Sequence, residues 1–165
     1  MRATDIMSAP VVTVRPDTSI LDAARALVRH KIAALPVVSP QRELVGMVSE
    51  ADLFHARAAR TWTGLADRGV EGVGAPQQVE DVMHRDVLWV RADDSLALCT
   101  HLMTRHNGRS LPVLRDGYLV GIVTRRDVLA ALTRIGEAFP GDQALRTTAG
   151  TGAIDLRGAR ERIPS

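Results

Sequence analysis

Residues 124–127 read Thr-Arg-Arg-Asp and follow the apolar run "LVGIV". A hydroxyl with a carboxylate three residues later, where a strand-like run gives way to a helical one, has the spacing of a capping box. The hydroxyl and the acid each satisfy a backbone N–H that the first helical turn leaves free. The same layout occurs earlier, in "LVGMVSEADL" at residues 44–53, with Ser49 and Asp52 in the equivalent places. There Glu50 also suits the positive end of the helix dipole. In the later copy Arg125 and Arg126 occupy that turn, where each cation is unfavourable by about 0.3–1 kcal/mol if little screened. An anion resting there reverses the sign. Free N–H groups, guanidinium and the Thr124 hydroxyl together make a phosphate seat. The residues alone allow both readings, and capping is the simpler.

No other constellation promises chemistry. Cys99 falls on an apolar helical stripe and reads as a packed thiol rather than a nucleophile. His30 and His106 recur near helix ends, where imidazole suits the negative dipole terminus. His101 and His106 are five apart and do not share a helix face, and His55 and His84 have no fixed companions. The sequence contains no Cys/His cluster with metal spacing, no P-loop and no dinucleotide fingerprint, so a catalytic role has little support.

The elements that must position these residues come in two copies. Residues 5–38 align with 81–114 and residues 44–53 with 119–128, and seventeen of these 44 positions are identical. Repetition on this scale governs the reading. Each copy begins with a β-rich run (Val11 to Val14; Val87 to Val90), turns into Ser19 or Ser95 as helix cap, and continues as a helix. In the first helix Ile20, Ala23, Ala24, Leu27 and Val28 form one apolar stripe; Leu96, Cys99 and Met103 continue the scheme in the second. Then come "LPVV" or "LPVL", a turn, the "LVG" run and a closing helix from about residue 50 or 125. The unit is β-α-β-β-α, and the class is α+β with α/β-type layers. Copies of roughly 50 residues bury too little apolar surface to stand comfortably alone, so the two are expected to pack as a pseudo-twofold pair. The expected boundaries are 5–56 and 81–135, with a linker at 57–80 that starts helix-like ("HARAAR") and becomes Gly-rich. Trp62 is its anchor, and residues 136–165 form a loose tail.

Composition agrees with a soluble globular chain of 165 residues, 45% apolar and 24% charged. A lone cysteine cannot form an internal bridge, and the start has neither a signal-peptide run nor, elsewhere, a membrane span, which points to the cytoplasm. The net charge is only +2 and the basic residues are scattered. With aromatics at 3%, both a basic footprint and stacking platforms for nucleic acid are missing.

These repeats resemble the CBS domain, named after cystathionine beta-synthase and usually found in tandem as a Bateman module. The residues that carry the resemblance are "DIM…VVTVRPDTSILDAARALVRHKIAALPVV…LVGMVSEADL" and "DVM…VLWVRADDSLALCTHLMTRHNGRSLPVL…LVGIVTRRDV". The resemblance implies a regulatory fold whose clefts bind adenosine-containing ligands such as AMP, ADP, ATP or S-adenosylmethionine, with no obligatory cofactor. It also implies pairing into a homodimer and an unidentified regulated protein. It places Thr124 and Asp127, and Ser49 and Asp52, on ribose and phosphate. Arg109 matches a basic position that reaches phosphate in ligand-binding members, and Arg126 adds charge beside it; a solvated surface Arg is the plain alternative. The first copy has Ala33 and Ala34 at that place, so asymmetric occupancy is expected, with the Thr124 cleft the stronger. Adenine is expected against Val11 or Val87 and beside Pro36 or Pro112, residues that equally suit plain core. The rival function is a ligand-free interaction scaffold of the same fold.

Overall fold

The computed structural model describes residues 1–66 and 76–138. They form two compact units, the first of Val12–Val87, the second of Met1–Val11 with the described chain from Leu88 onward. Chain order gives α1 (Ala3–Ile6), α2 (Ile20–His30), β1 (Ala34–Val38), β2 (Leu44–Ser49) and α3 (Glu50–Ala66). After a 3-10 turn at Val79–Asp81 follow β3 (Val90–Arg91), α4 (Leu96–Arg105), β4 (Ser110–Arg115), β5 (Tyr118–Thr124) and α5 (Arg125–Ala138).

The units do not coincide with the sequence repeats. The opening segment, residues 1–11, packs with the second repeat, and the segment that opens the second repeat, up to Val87, packs with the first. The repeated Met and Gly show why. A Cβ on Gly46 would lie 2.9 Å from the carbonyl oxygen of His84 and from Sδ of Met83; on Gly121 it would collide with Sδ of Met7 and lie 2.7 Å from its Cγ. Each "LVG" glycine is therefore a groove for the other repeat's methionine, a close approach that only glycine allows. The exchanged segments bury real core. Ala3 and Ile6 join Val90, Leu96, Leu102, Leu111 and Val123 in one cluster; Val79 and Met83 join Ile20, Leu27, Leu35, Val37 and Val48 in the other. The segment read as a linker at 57–80 thus begins as the second half of α3 and ends in the turn that carries the buried Val79. Its Gly-rich centre, the Trp62 side chain and residues 139–165 lie outside the described residues.

The caps form where the spacing predicts them. Ser19 accepts from Asp22 N and Ser95 from Leu98 N, at 3.0 and 3.1 Å. The repeated acids Asp5 and Asp81 cap the turn before them, accepting from Arg2 N at 2.6 Å and from Gln77 N and Gln78 N at 2.9 Å. Two expectations need correction. Val28 is 79% exposed, because at about 100° per residue it lies roughly 80° round the helix from Ile20, beyond the buried stripe of Ile20, Ala23 and Leu27. The expected opening strands shrink to one parallel bridge, Val14 to Val37, in the first unit and to Val90–Arg91 in the second. The cause is the proline of each "LPV". Val14 N donates to Pro36 O and Val38 N to Val14 O, but the next rung back would need the N–H that Pro36 lacks. Pro112 stops the ladder upstream of Val90 in the same way.

Candidate functional site

Thr124 closes β5 and Asp127 lies in the first turn of α5. The Thr124 backbone N–H and hydroxyl both donate to Oδ2 of Asp127 at 2.7 Å, and Asp127 N returns a longer bond of 3.3 Å to the hydroxyl. The capping box is real, and it consumes one carboxylate oxygen. No described residue donates to the other, Oδ1. Among the described residues no buried side-chain oxygen lacks a partner, so this Oδ1 is reachable from solvent.

The two arginines of the turn behave differently. Arg125 reaches back to the end of α4, its Nε donating to Gly108 O at 2.8 Å and its guanidinium to Asn107 Oδ1 at 2.7 Å. A carbonyl left free past a helix end favours a cation, so Arg125 has a structural explanation and is no anion ligand. Arg126 is exposed and makes no side-chain hydrogen bond or ion pair among the described residues. The same holds for exposed Arg109, whose carbonyl accepts from Arg125 N at 3.2 Å and so fixes its backbone against the start of α5. Two uncommitted guanidiniums and an open carboxylate oxygen therefore flank one helix N-terminus.

The first unit repeats the frame with other contents. Ser49 N and Oγ donate to Oδ2 of Asp52 at 2.8 and 2.6 Å, and Glu50 N donates to Ala33 O at 2.9 Å. No cation stands at Ala33. Oδ1 of Asp52 is taken: Nε2 of His84 lies 2.9 Å away, and since a carboxylate only accepts, the imidazole carries the proton there. Burial works to raise the Asp52 pKa, but the Ser49 hydroxyl, the Ser49 N–H and His84 outweigh it and hold the carboxyl below its ordinary value. Sequence reasoning missed His84 because its partner comes from the other repeat.

The remaining expected site residues fare unevenly. Pro36 and Pro112 are fully buried within their strands, where they sit across from Met47 and Ile122, and they offer no surface to a purine. Val11 and Val87 are partly exposed, but each belongs to the unit built on the other repeat. Val11, not Val87, therefore shares a unit with Thr124. A cleft of about 710 Å³ in that unit lies at the opposite end of the strands, at the β4–β5 hairpin, lined by Arg2, Trp89, Arg91, Arg115 and Asp116 among others. No described helix is long and apolar enough to cross a membrane.

Comparison with known proteins places this geometry. The family model of the CBS domain matches twice, over residues 3–59 and 79–134. Many solved structures are similar over most of the chain, among them two in complex with ligands. CBSX2 in complex with AMP has a TM-score of 0.68 and 32% identity, covering 81% of this chain and 97% of that one. The CBS domain pair of protein MJ0100, in complex with 5'-methylthioadenosine and S-adenosyl-L-methionine, has a TM-score of 0.68 and 27% identity, covering 82% and 98%. Among curated relatives, the L-aspartate semialdehyde sulfurtransferase of Methanocaldococcus jannaschii is 30% identical over 125 residues; the match takes in 75% of this chain and only 22% of the enzyme.

Proposed function

The chain belongs to the CBS domain family as a tandem pair, a Bateman module, and from that premise we propose that it is a regulatory module that reversibly binds an adenosine-containing ligand. The ligand is held chiefly at Thr124 and Asp127. Asp127 Oδ1, held in place by Thr124, accepts from ribose hydroxyls, the first turn of α5 at Arg126 meets phosphate, and Arg109 and Arg126 add bidentate contacts to it. The observation that carries this reading is the half-used carboxylate: its cap is complete with one oxygen, and no described residue donates to the other. The adenine lies against the extended segment at Val11, which is partly exposed and shares a unit with Thr124. AMP in one structural neighbour and S-adenosyl-L-methionine in another support the class of ligand.

The module acts through a regulated partner and as a homodimer. Phe54 and Leu129, equivalent in the two repeats, are 70% and 63% exposed, and Leu132 is 41% exposed on the same helix as Leu129. An open groove of about 370 Å³ between α4 and α5 runs beside Leu129 and Leu132. Such apolar surface suits a second copy, and Leu129→Glu is expected to shift a dimer toward monomer in light scattering.

Thermal unfolding with AMP, ADP, ATP and S-adenosylmethionine tests the ligand. At a hundredfold excess over Kd, a bound ligand stabilises by about 2.7 kcal/mol, and Asp127→Ala is expected to remove that gain. The second reading, a ligand-free scaffold, is favoured by the capping box itself, which satisfies Thr124 without any ligand. Unfolding transitions indifferent to all four compounds, with partner binding intact, would select it.

A further inference from the structure

Positions 8 and 84 are equivalent in the repeat and in the fold. Ser8 N donates to Ile122 O at 2.9 Å and Ile122 N to Ser8 O at 3.1 Å; His84 and Met47 exchange the same pair at 2.8 and 2.9 Å. Both residues therefore hang beside the same point of their sheets, close to the capping box at the end of the adjoining strand. Only the side chains differ. The exposed Ser8 makes no side-chain hydrogen bond among the described residues and leaves Asp127 Oδ1 open. His84 fills the equivalent oxygen of Asp52.

We propose that His84 is a built-in occupant of the first unit's carboxylate, and that histidine here, in place of serine, is what makes this unit the weaker of the two adenosyl sites. This rests on the reading of Asp127 given above. Ser49 engages Oδ2 of Asp52 twice, so Oδ1 is the oxygen a ribose would need; the imidazole already fills one of its two acceptor positions and must leave before both ribose hydroxyls can donate to it. The His84 side chain is 69% exposed while that of Asp52 is 16% exposed, so the ring can swing into water while the acid stays in place. Losing a hydrogen bond to a charged acceptor lowers affinity by about tenfold. Nothing offsets the loss, because Ala33 stands where Arg109 stands in the other unit. His84 is a positioning residue for specificity between sites, not a ligand contact.

Calorimetric titration of the full chain with AMP tests the proposal by residue exchange. Wild type is expected to show one stronger site, lost in Asp127→Ala, and a second weaker by about tenfold or more. His84→Ser is expected to strengthen the weaker site about tenfold. Ser8→His is expected to weaken the Asp127 site by a similar factor, and His84→Gln, which keeps an N–H donor at the Nε2 position, to leave the weaker site weak. A weaker site that His84→Ser shifts by less than twofold, with the stronger site present and Asp127-dependent, overturns the role of His84 alone. Absence of AMP binding in wild type and in His84→Ser alike overturns the adenosyl reading and this inference with it.

Discussion

Substituting alanine at the two "LVG" glycines separates a backbone clash from a side-chain clash at equivalent positions. At Gly46 the new methyl would meet the His84 carbonyl at 2.9 Å, an atom fixed by its own bond from Met47 N at 2.9 Å. At Gly121 all three near atoms belong to the Met7 side chain, with Cγ at 2.7 Å and Cβ at 3.1 Å. A thioether chain can change rotamer; a paired carbonyl can move only by stretching its ladder. Overpacking of this kind costs about 1–3 kcal/mol, and weakening the two His84–Met47 bonds adds about 1 kcal/mol. Against this, alanine in place of glycine returns about 0.4–1 kcal/mol through the unfolded chain. Gly46→Ala is therefore expected to destabilise by about 1–3.5 kcal/mol, and Gly121→Ala, where the Met7 side chain can give way, by about 1 kcal/mol or less. Urea unfolding followed by circular dichroism, with one fitted slope, reads the difference as a shift in midpoint. Because the displaced carbonyl is that of His84, Gly46→Ala should also loosen the imidazole from Asp52, visible as a change in its ring resonances. A Gly46→Ala protein as stable as wild type, or less harmed than Gly121→Ala, would refute the crosswise packing of methionine on glycine.

Four further outcomes follow from the hydrogen bonds and charges of the two units. Asp52, Asp22 and Asp81 have carboxyl pKa values below the ordinary 3.8; a depressed folded pKa gives stability that is complete above the unfolded value and lost as pH falls through the folded one. Urea midpoints are thus expected to hold down to about pH 5 and decline below pH 4, with a shallower decline in Asp52→Asn. Thr124→Ala removes the cap of α5 and is expected to cost about 1 kcal/mol in thermal unfolding, with Thr124→Ser close to wild type. Arg125→Ala is expected to cost stability without changing AMP affinity, because its guanidinium serves Gly108 and Asn107. Arg109→Ala should do the reverse, weakening AMP by about tenfold but adenosine hardly at all.

Much of this was legible in the residues because it is local. A serine before an apolar helix and a hydroxyl three residues before an acid each carry their own geometry, and the structure contains both. What stayed hidden depends on which segment lies beside which. Repeats align in sequence whether or not they exchange their opening segments, so the alignment could set His84 opposite Ser8 but could not show that His84 meets Asp52. The prolines of "LPV" misled in another way. Their ring and their place in an apolar run suit both a purine slot and a buried strand, and only the pairing with Val14 shows that they end a ladder inside the core. Arg125 looked like a cation in want of an anion because the distance along the chain to Gly108 conceals a distance of 2.8 Å in space.

The exchange of opening segments makes each unit depend on chain from the other repeat, and removal of residues 1–11 exposes that dependence. The segment contributes buried Ala3 and Ile6 to the core of the second repeat. It also supplies backbone bonds from Ala3 N to Asp94 O, Thr4 N to Ala92 O and Leu96 N to Met1 O, besides the Ser8–Ile122 pair. Burial of Ile6 is worth about 1.5–3 kcal/mol, and five bonds at about 0.5–1.5 kcal/mol each add a comparable or larger amount. The sum is of the order of a small domain's whole stability, about 5 kcal/mol at the low end. A chain starting at Val12 should therefore lose amide protection along α4, β4 and β5 and all binding that depends on Asp127. The unit holding Ser49, Asp52 and His84 contains none of the deleted residues and should keep its protected amides in β1 and β2. Hydrogen exchange on the shortened chain distinguishes this from repeats that fold as continuous blocks: in that case β1 and β2 would lose protection and β4 and β5 would retain it.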